Sequence, residues 1–341
     1  MRGNGGLTSR AAVAAACVLL AIALAARCGS SSSSTRGGSA DQQRRVTGQA
    51  SGTRGNPLTA VSVASIGNLP AAVEDAAIAP LSAGQVALLG GIDSADTSTD
   101  SVVLLNGGDA APAGTLPNPQ HDAQATTLGS KVYVFGGGQF SSYDHILRYD
   151  PATATTSEVG SLPTPASDVA VAAIGDTAYI VGGYTGADWL DTIVAWTPGT
   201  APRVVGHLPV GLRYAAVAVA GNRIIIAGGS TPTAVGDQIF SFDPASGTVS
   251  TIGHLPSPLT HASAVFVDGR VVVVGGRREA TGEQTSAILA INPTTGTVVT
   301  AGQLPGPLSD AAVALSGGRI IVAGGDSGNG PGTSIVALSP R

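Results

Sequence analysis

Residues 160–183, GSLPTPASDVAVAAIGDTAYIVGG, contain the two short motifs that decide the fold of this 341-residue chain. The first is Gly-x-Leu-Pro, and the second is a Gly-Gly pair that ends a hydrophobic run. Each motif occurs six times, with Leu-Pro beginning at Leu69, Leu116, Leu162, Leu208, Leu255 and Leu304, and Gly-Gly at Gly90, Gly136, Gly182, Gly228, Gly275 and Gly324. Both recur every 46 to 49 residues. A repeat of roughly 40 to 50 residues with several strands per unit is typical of propeller blades. The sequence therefore predicts an all-β propeller of six blades.

One repeat unit shows how a blade is built. The unit from Gly160 to Gly206 alternates hydrophobic runs with turn residues, which predicts four antiparallel strands at 168–174, 177–181, 191–196 and 202–205. After the last Leu-Pro only three such runs remain, while the run 58–66 precedes the first Leu-Pro. We expect this N-terminal strand to complete the last blade, which closes the ring and covers the sheet edges.

The third strand of two units ends in an aromatic residue and Asp-Pro, at Tyr149-Asp150-Pro151 and Phe242-Asp243-Pro244. Weaker versions end at Pro198, Pro293 and Pro340. With the Gly-Gly pairs, this pattern resembles the kelch-repeat family over about residues 58 to 341. The Trp that the family carries on the fourth strand is replaced here by small residues. The resemblance implies a kelch-type β-propeller.

The first 28 residues resemble an export signal. Arg2 and Arg10 precede an uncharged run at 11–26, which is shorter than the roughly 20 residues of a membrane-spanning helix. Cys28, followed by Gly and Ser residues, resembles the lipidated cysteine of a bacterial lipoprotein, although Arg27 stands where that family has a small residue. Lipidation at Cys28, an uncleaved anchor and ordinary signal cleavage stay open. All three predict an exported protein, either secreted or at the outer face of the bacterial membrane.

Composition separates a polar segment from the propeller. The composition of residues 29–55 predicts a disordered Ser/Gly-rich tether, and that of residues 56–341 predicts the propeller.

The propeller contains ten Lys and Arg against 21 Asp and Glu, a net charge of about −11, which argues against nucleic acid as a partner. Both cysteines, Cys17 and Cys28, precede it, so disulfides, thiolate zinc sites and cysteine nucleophiles are excluded from it.

Candidate binding residues lie where the innermost strand of each blade begins. The six residue pairs there are Glu74-Asp75, His121-Asp122, Ser167-Asp168, Arg213-Tyr214, Thr260-His261 and Ser309-Asp310. Arg213, Tyr214 and His261 depart from the Asp pattern in neighbouring blades. Two interpretations stay open: they bind a carboxylate or polyol together with His121 and Asp122, or they fill the channel mouth and pair with the neighbouring Asp residues.

The loops after Gly-Gly add further candidates. Tyr184 and Trp189 suit stacking on a sugar, or they cap a blade. Arg277 and Arg278 suit clamping of an anion together with Arg213, or they form a solvated loop. His207 and His254 precede Leu-Pro without a third metal ligand, so we expect no metal site. The repeated Asp100, Asp144, Asp191 and Asp237 are expected to bond local backbone N–H groups.

Two classes of function follow. The first is a surface-tethered recognition module that binds a cell-envelope protein or glycan on the face bearing these loops, as a monomer without a cofactor and with its N-terminus at the membrane. The alternative is a sugar-acid epimerase or mutarotase, similar to the kelch-type sialic acid epimerases, with Arg213, His261 and Glu74 at the channel mouth as candidate catalytic residues. A copper radical oxidase similar to galactose oxidase needs a cysteine, and sialidase turns of the form Ser-x-Asp-x-Gly-x-Thr-Trp do not occur, so both are excluded.

Overall fold

The computed structural model describes residues 57–278 and 282–341, which form 24 β-strands and a short 3-10 turn at Ser82–Gly84. The predictions for the signal, the tether and Cys28 lie outside these residues. Within the two described ranges, no helix is both long and apolar enough to cross a membrane.

The strands form six sheets of four antiparallel strands, so the predicted six-bladed propeller is confirmed. The first strand of the described residues is β1 (Val61–Val73). The first blade contains β2 (Ala77–Pro80), β3 (Gln85–Leu89), β4 (Ser101–Asn106) and β5 (Asp109–Thr115). The second contains β6 (His121–Leu128), β7 (Lys131–Gly138), β8 (His145–Asp150) and β9 (Thr155–Ser161). The third contains β10 (Ala170–Ile174), β11 (Thr177–Val181), β12 (Thr192–Trp196) and β13 (Arg203–His207). The fourth contains β14 (Ala216–Ala220), β15 (Arg223–Ala227), β16 (Gln238–Asp243) and β17 (Thr248–His254). The fifth contains β18 (Ser263–Val267), β19 (Arg270–Val274), β20 (Ala287–Ile291) and β21 (Val298–Gln303). The sixth contains β22 (Ala312–Ser316), β23 (Arg319–Ala323) and β24 (Gly332–Pro340), with β1 as its fourth strand.

The N-terminal strand closes the ring, as the sequence predicts. β1 pairs antiparallel with β24, from Val61 opposite Pro340 to Val73 opposite Gly332. Leu58, just before β1, is 1% exposed in the core between the fifth and sixth blades. Its N–H donates to the carbonyl of Asp268 on the fifth blade at 3.1 Å. The first and last parts of the propeller are therefore held in one sheet.

The hydrophobic core is divided into six clusters, each between two neighbouring blades. The leucines of the six Leu-Pro motifs are only 3–6% exposed. Leu208, for example, packs with Ile193 of the third blade and Ile224 of the fourth. The repeated leucine is therefore a core residue that fills the space between blades.

The Gly-Gly pairs join the blades through their backbone. In the third blade the N–H of Gly183 donates to the carbonyl of Leu212, which leads into the fourth blade, at 2.9 Å. Gly182 has a φ of 62°, and a Cβ there would overlap that same carbonyl oxygen. The equivalent bond occurs at all six blade junctions, at 2.8–2.9 Å. The sequence interpretation of these glycines as positions of positive φ and close backbone approach is confirmed.

Substituting Gly182 by Ala tests this contact against a matched control. Gly175 has nearly the same φ, 60°, but no atom lies within 4 Å of the position that a Cβ would take there. Both substitutions carry the cost of a left-handed backbone, about 1–2 kcal/mol. Gly182→Ala adds a clash with the next blade, so we expect it to lower the free energy of unfolding by a further amount of about 1–3 kcal/mol. Equal losses in equilibrium denaturation would show that close approach is not the reason for the glycine.

Candidate functional site

The two faces of the ring carry different connections. The segment before each innermost strand lies beside the residue after Gly-Gly, as in the bridges Ser167–Tyr184, Arg213–Ser230 and Thr260–Arg277. These segments and loops form what we call the loop face. The opposite turn face carries tight turns such as 221–222 and 268–269. The candidate residues of the sequence therefore share the loop face.

Six residues around the channel axis form a closed ring of backbone hydrogen bonds on the loop face. Each N–H donates to the carbonyl of the equivalent residue in the preceding blade, at 2.9–3.2 Å. The members of this axial ring are Asp75, Asp122, Asp168, Tyr214, His261 and Asp310. All six have a left-handed φ of 52–56°. The sequence identifies these six positions but does not predict the ring of hydrogen bonds. The signal for it is the repeated Asp, a residue that tolerates left-handed backbone.

Tyr214 and His261 take the same left-handed conformation as the four Asp residues of the ring, and Tyr214 does so without the tolerance that Asp and His have for it. A left-handed φ in such residues costs about 1–3 kcal/mol and persists where the surroundings impose it. Their side-chain rings stack, with centroids 3.7 Å apart and planes at 26°. The hydroxyl of Tyr214 also donates to Oδ2 of Asp122 at 3.3 Å. These contacts hold both side chains at the channel mouth.

Arg213 lies between an acid and three aromatic rings. Its Nη1 donates to Oδ2 of the buried Asp168 at 3.0 Å. Its guanidinium carbon is 4.5 Å from the ring centroid of Tyr184, 5.0 Å from that of Trp189 and 5.1 Å from that of Tyr214. Pairing with a neighbouring Asp, one of the two interpretations open from the sequence, is thus what the structure shows for Arg213.

Arg277 is half-buried at the junction of the fifth and sixth blades. Its Nε donates to Oγ of Ser309 at 2.9 Å, and its Nη2 bonds Asp310 and lies 3.4 Å from Oδ2 of Asp326. The solvated-loop interpretation is therefore wrong for Arg277, because acids of the sixth blade engage its charge. Arg278 beside it is exposed.

The space enclosed by the axial ring is small. It measures about 50 Å³, which suits one or two water molecules rather than a sugar. Beyond it, the channel widens to a cavity of about 480 Å³ with mostly apolar walls from the innermost strands, including Val171, Val217 and Phe266.

A larger groove lies on the loop face, away from the axis. It has a volume of about 620 Å³ and is formed by loops of the third, fourth and fifth blades. It brings together three predicted residues, Trp189, Arg213 and Arg278. Ser230 and Pro232 also line the groove. The sequence does not mark them as binding residues, because they occupy an ordinary loop of small residues.

The repeat units match the KLHDC2/KLHL20/DRC7 Kelch-repeats domain over residues 79–276. The chain belongs to the kelch-repeat family. A search among curated proteins found no match. Among many matching chains of solved structures, one titled "Structure of YjhT" has a TM-score of 0.69 and 15% sequence identity, and the match covers 80% of this chain and 96% of that one. At this identity the similarity concerns the fold alone.

Burial is the largest cause of the pKa shifts in the axial ring of this kelch propeller. Burial, with Asp122 and Asp310 close by, raises the pKa of Asp75 well above its usual range. Burial and Asp168 likewise raise the pKa of Asp122. The pKa of His261 is lowered by burial to about 4, so its imidazole is neutral at pH 7. The ring therefore carries less charge than its composition indicates.

Glu74 and His121 stand next to the ring rather than in it. Burial, together with Asp326 and Asp310, raises the pKa of Glu74 from 4.5 to about 7. His121 bonds Oγ of Ser98 through Nδ1 at 2.8 Å, and burial lowers its pKa. Glu74 precedes the first blade and Arg213 the fourth, so they lie on opposite sides of the six-bladed ring. The three candidate catalytic residues are thus divided between opposite sides of the channel.

His207 and His254 each pair with an Asp of the same blade. Nδ1 of His207 lies 3.2 Å from Oδ1 of Asp191, and Nδ1 of His254 lies 3.1 Å from Oδ1 of Asp237. The expectation that these Asp side chains bond local backbone is wrong for both, because the histidine of the fourth strand is their partner. In the part of the chain that the structure describes, no cluster of three or more His, Cys, Asp or Glu side chains is placed to hold a metal ion.

The raised pKa of Glu74 predicts a pH-dependent stability. Because the folded protein holds the proton more tightly, the protonated carboxyl stabilises the fold below about pH 4.5, and this stabilisation is lost as the pH rises through about 7. Glu74→Gln should remove this part of the pH dependence, so that the variant gains on the wild type in free energy of unfolding between about pH 5 and about pH 8. The control is Glu158→Gln at an exposed position on β9. Parallel pH profiles of wild type and Glu74→Gln would contradict the assignment.

Proposed function

We propose that this kelch propeller is a recognition module, tethered outside the cytoplasm, that binds a cell-envelope protein or glycan on its loop face. The observation that carries the proposal is the groove on that face, where Trp189, Arg213 and Arg278 meet. Aromatic and arginine side chains provide most of the binding energy in many recognition surfaces. Variable loops on a rigid scaffold are the usual place for such sites.

Phe140 adds an apolar contact point to the same face. It follows the Gly-Gly motif of the second blade and is 96% exposed. An exposed aromatic side chain can bury a large area when a partner covers it. Phe140 and the groove together make the loop face the surface best suited to recognition.

The chain enters the propeller on the other side. Leu58 bonds Asp268 in a tight turn of the turn face, and the N–H of Arg341 donates to the carbonyl of Ala60 at 2.9 Å. The described residues therefore begin on the face opposite the proposed binding surface, and this is where we propose that the tether joins the propeller. This connectivity suits a module whose anchor and ligand occupy different faces.

Paired variants of the full-length chain test the proposal. Phe140→Ser with Arg278→Glu changes the loop face, and Asn222→Ser with Arg203→Glu makes a comparable charge change at exposed residues of the fourth and third blades, away from the loop face. We expect the loop-face variant to bind isolated envelope protein or glycan fractions at least about tenfold more weakly, because hot-spot residues typically contribute that much. The control variant should bind like the wild type. Loss only in the control variant, or no binding by the wild type, would refute the proposal.

An epimerase-like enzyme is the second candidate. The observation in its favour is Glu74, whose pKa of about 7 suits a general acid–base at neutral pH. Its distance around the ring from Arg213 and the small space within the axial ring weigh against it. An NMR assay separates the two candidates. It measures the rate at which the epimers or anomers of an acidic sugar interconvert in the presence of the wild type or of Glu74→Gln. Turnover that Glu74→Gln abolishes supports the enzyme, and no turnover by the wild type supports the recognition module.

A further inference from the structure

We infer that the off-axis groove between the third, fourth and fifth blades binds a carboxylate-bearing sugar of the uronic acid type. The inference rests on the proposed function and specifies the ligand of the same face. It places the ligand beside the axis rather than on it. The groove has about 620 Å³ of space, within the range of small-molecule sites, whereas the axial ring encloses about 50 Å³.

The cationic side chains of the groove determine the charge of the ligand. Arg278 is exposed at the rim, and Arg213 lies at the floor with Nη1 on Asp168. Arginine presents a planar set of donors that matches a carboxylate. In a propeller with a net charge of about −11, a groove that combines the exposed guanidinium of Arg278 with Arg213, which is paired with Asp168, is a local exception. A sugar with one carboxylate per ring fits this exception better than a densely charged polyanion does.

The remaining polar groups favour a ligand rich in hydroxyl and ether oxygens. Ser230 is only 5% exposed, and its Oγ has no hydrogen-bond partner. Nε1 of Trp189 and Nε of Arg213 also lack acceptors. Donors left unpaired in a buried position lower stability, and these three atoms are closed to solvent, so a sugar oxygen pairs with them only where the side chains at the floor of the groove move. Pro232 and Pro258 offer apolar surface to the C–H face of a sugar ring.

The backbone of the groove distinguishes a sugar from an extended peptide. A peptide that adds a strand needs unpaired backbone groups at an exposed edge. Ser230 already forms bridges with Arg213 on one side and Val235 on the other. Recognition in the groove therefore depends on side chains, which suits a sugar.

Calorimetric titration of the full-length chain tests the inference with tri-galacturonic acid as probe. Its methyl ester keeps the hydroxyls and lacks the charge, and C-terminally amidated tri-glutamate keeps three carboxylates on a peptide backbone. We expect the acid to bind, the ester to bind at least about tenfold more weakly, and Arg278→Ala to lose a similar factor. Arg203→Ala, at an exposed arginine of β13, should bind like the wild type.

Other outcomes overturn the inference. Equal affinity for acid and ester would show that the groove does not recognise the carboxylate. Binding of tri-glutamate but not of the sugar would show that the ligand is a peptide. Absence of tri-galacturonic acid binding would also overturn it. If envelope fractions still bind and the loop-face variant loses that binding, the recognition function stands and only the ligand class fails.

Discussion

The propeller depends on backbone hydrogen bonds that pass from each blade to the next and return to the first. One set joins the second glycine of each Gly-Gly pair to a carbonyl of the following blade. The other set is the axial ring, in which each residue donates to its equivalent in the preceding blade. Both sets need left-handed backbone at fixed points, and the interblade clusters of hydrophobic side chains pack around them. Because the ring is closed by β1 in the last sheet, no blade is left with an unpaired junction.

This constraint explains why the axis is a poor place for a ligand. The axial ring must keep its six left-handed residues close together to retain its hydrogen bonds. The side chains there are consequently occupied with one another, as Tyr214 is with Asp122 and His261. Burial and the neighbouring acids raise the pKa values of Asp75 and Asp122. What resembles an acid-lined channel mouth in the sequence is largely a structural element.

The loops outside the ring are free from this constraint. In the third, fourth and fifth blades they gather Trp189, Arg213 and Arg278 around a groove. Arg213 belongs to both regions, since it pairs with Asp168 of the axial ring and lines the groove. In the sixth blade the equivalent region is occupied by Arg277 and its acids, so the loop face is chemically different on its two sides. A rigid ring with unequal loops suits a protein that recognises a ligand.

The sequence by itself determined the number of blades, the order of the strands and the closure of the ring. These follow from local patterns, because Leu-Pro, Gly-Gly and hydrophobic runs report which backbone is turned and which is buried. It also indicated Arg213, Tyr214 and His261, because departures from a repeat are visible without coordinates. The predicted first strand of the third unit begins at 168, whereas β10 begins at Ala170, because the left-handed φ of Asp168 interrupts the extended backbone. Only the tertiary structure decided that Arg277 is paired, that the axial ring encloses only about 50 Å³, and that the groove includes Ser230. Those facts depend on which blades face each other and on where side chains from separate repeats meet, and no local pattern carries that information.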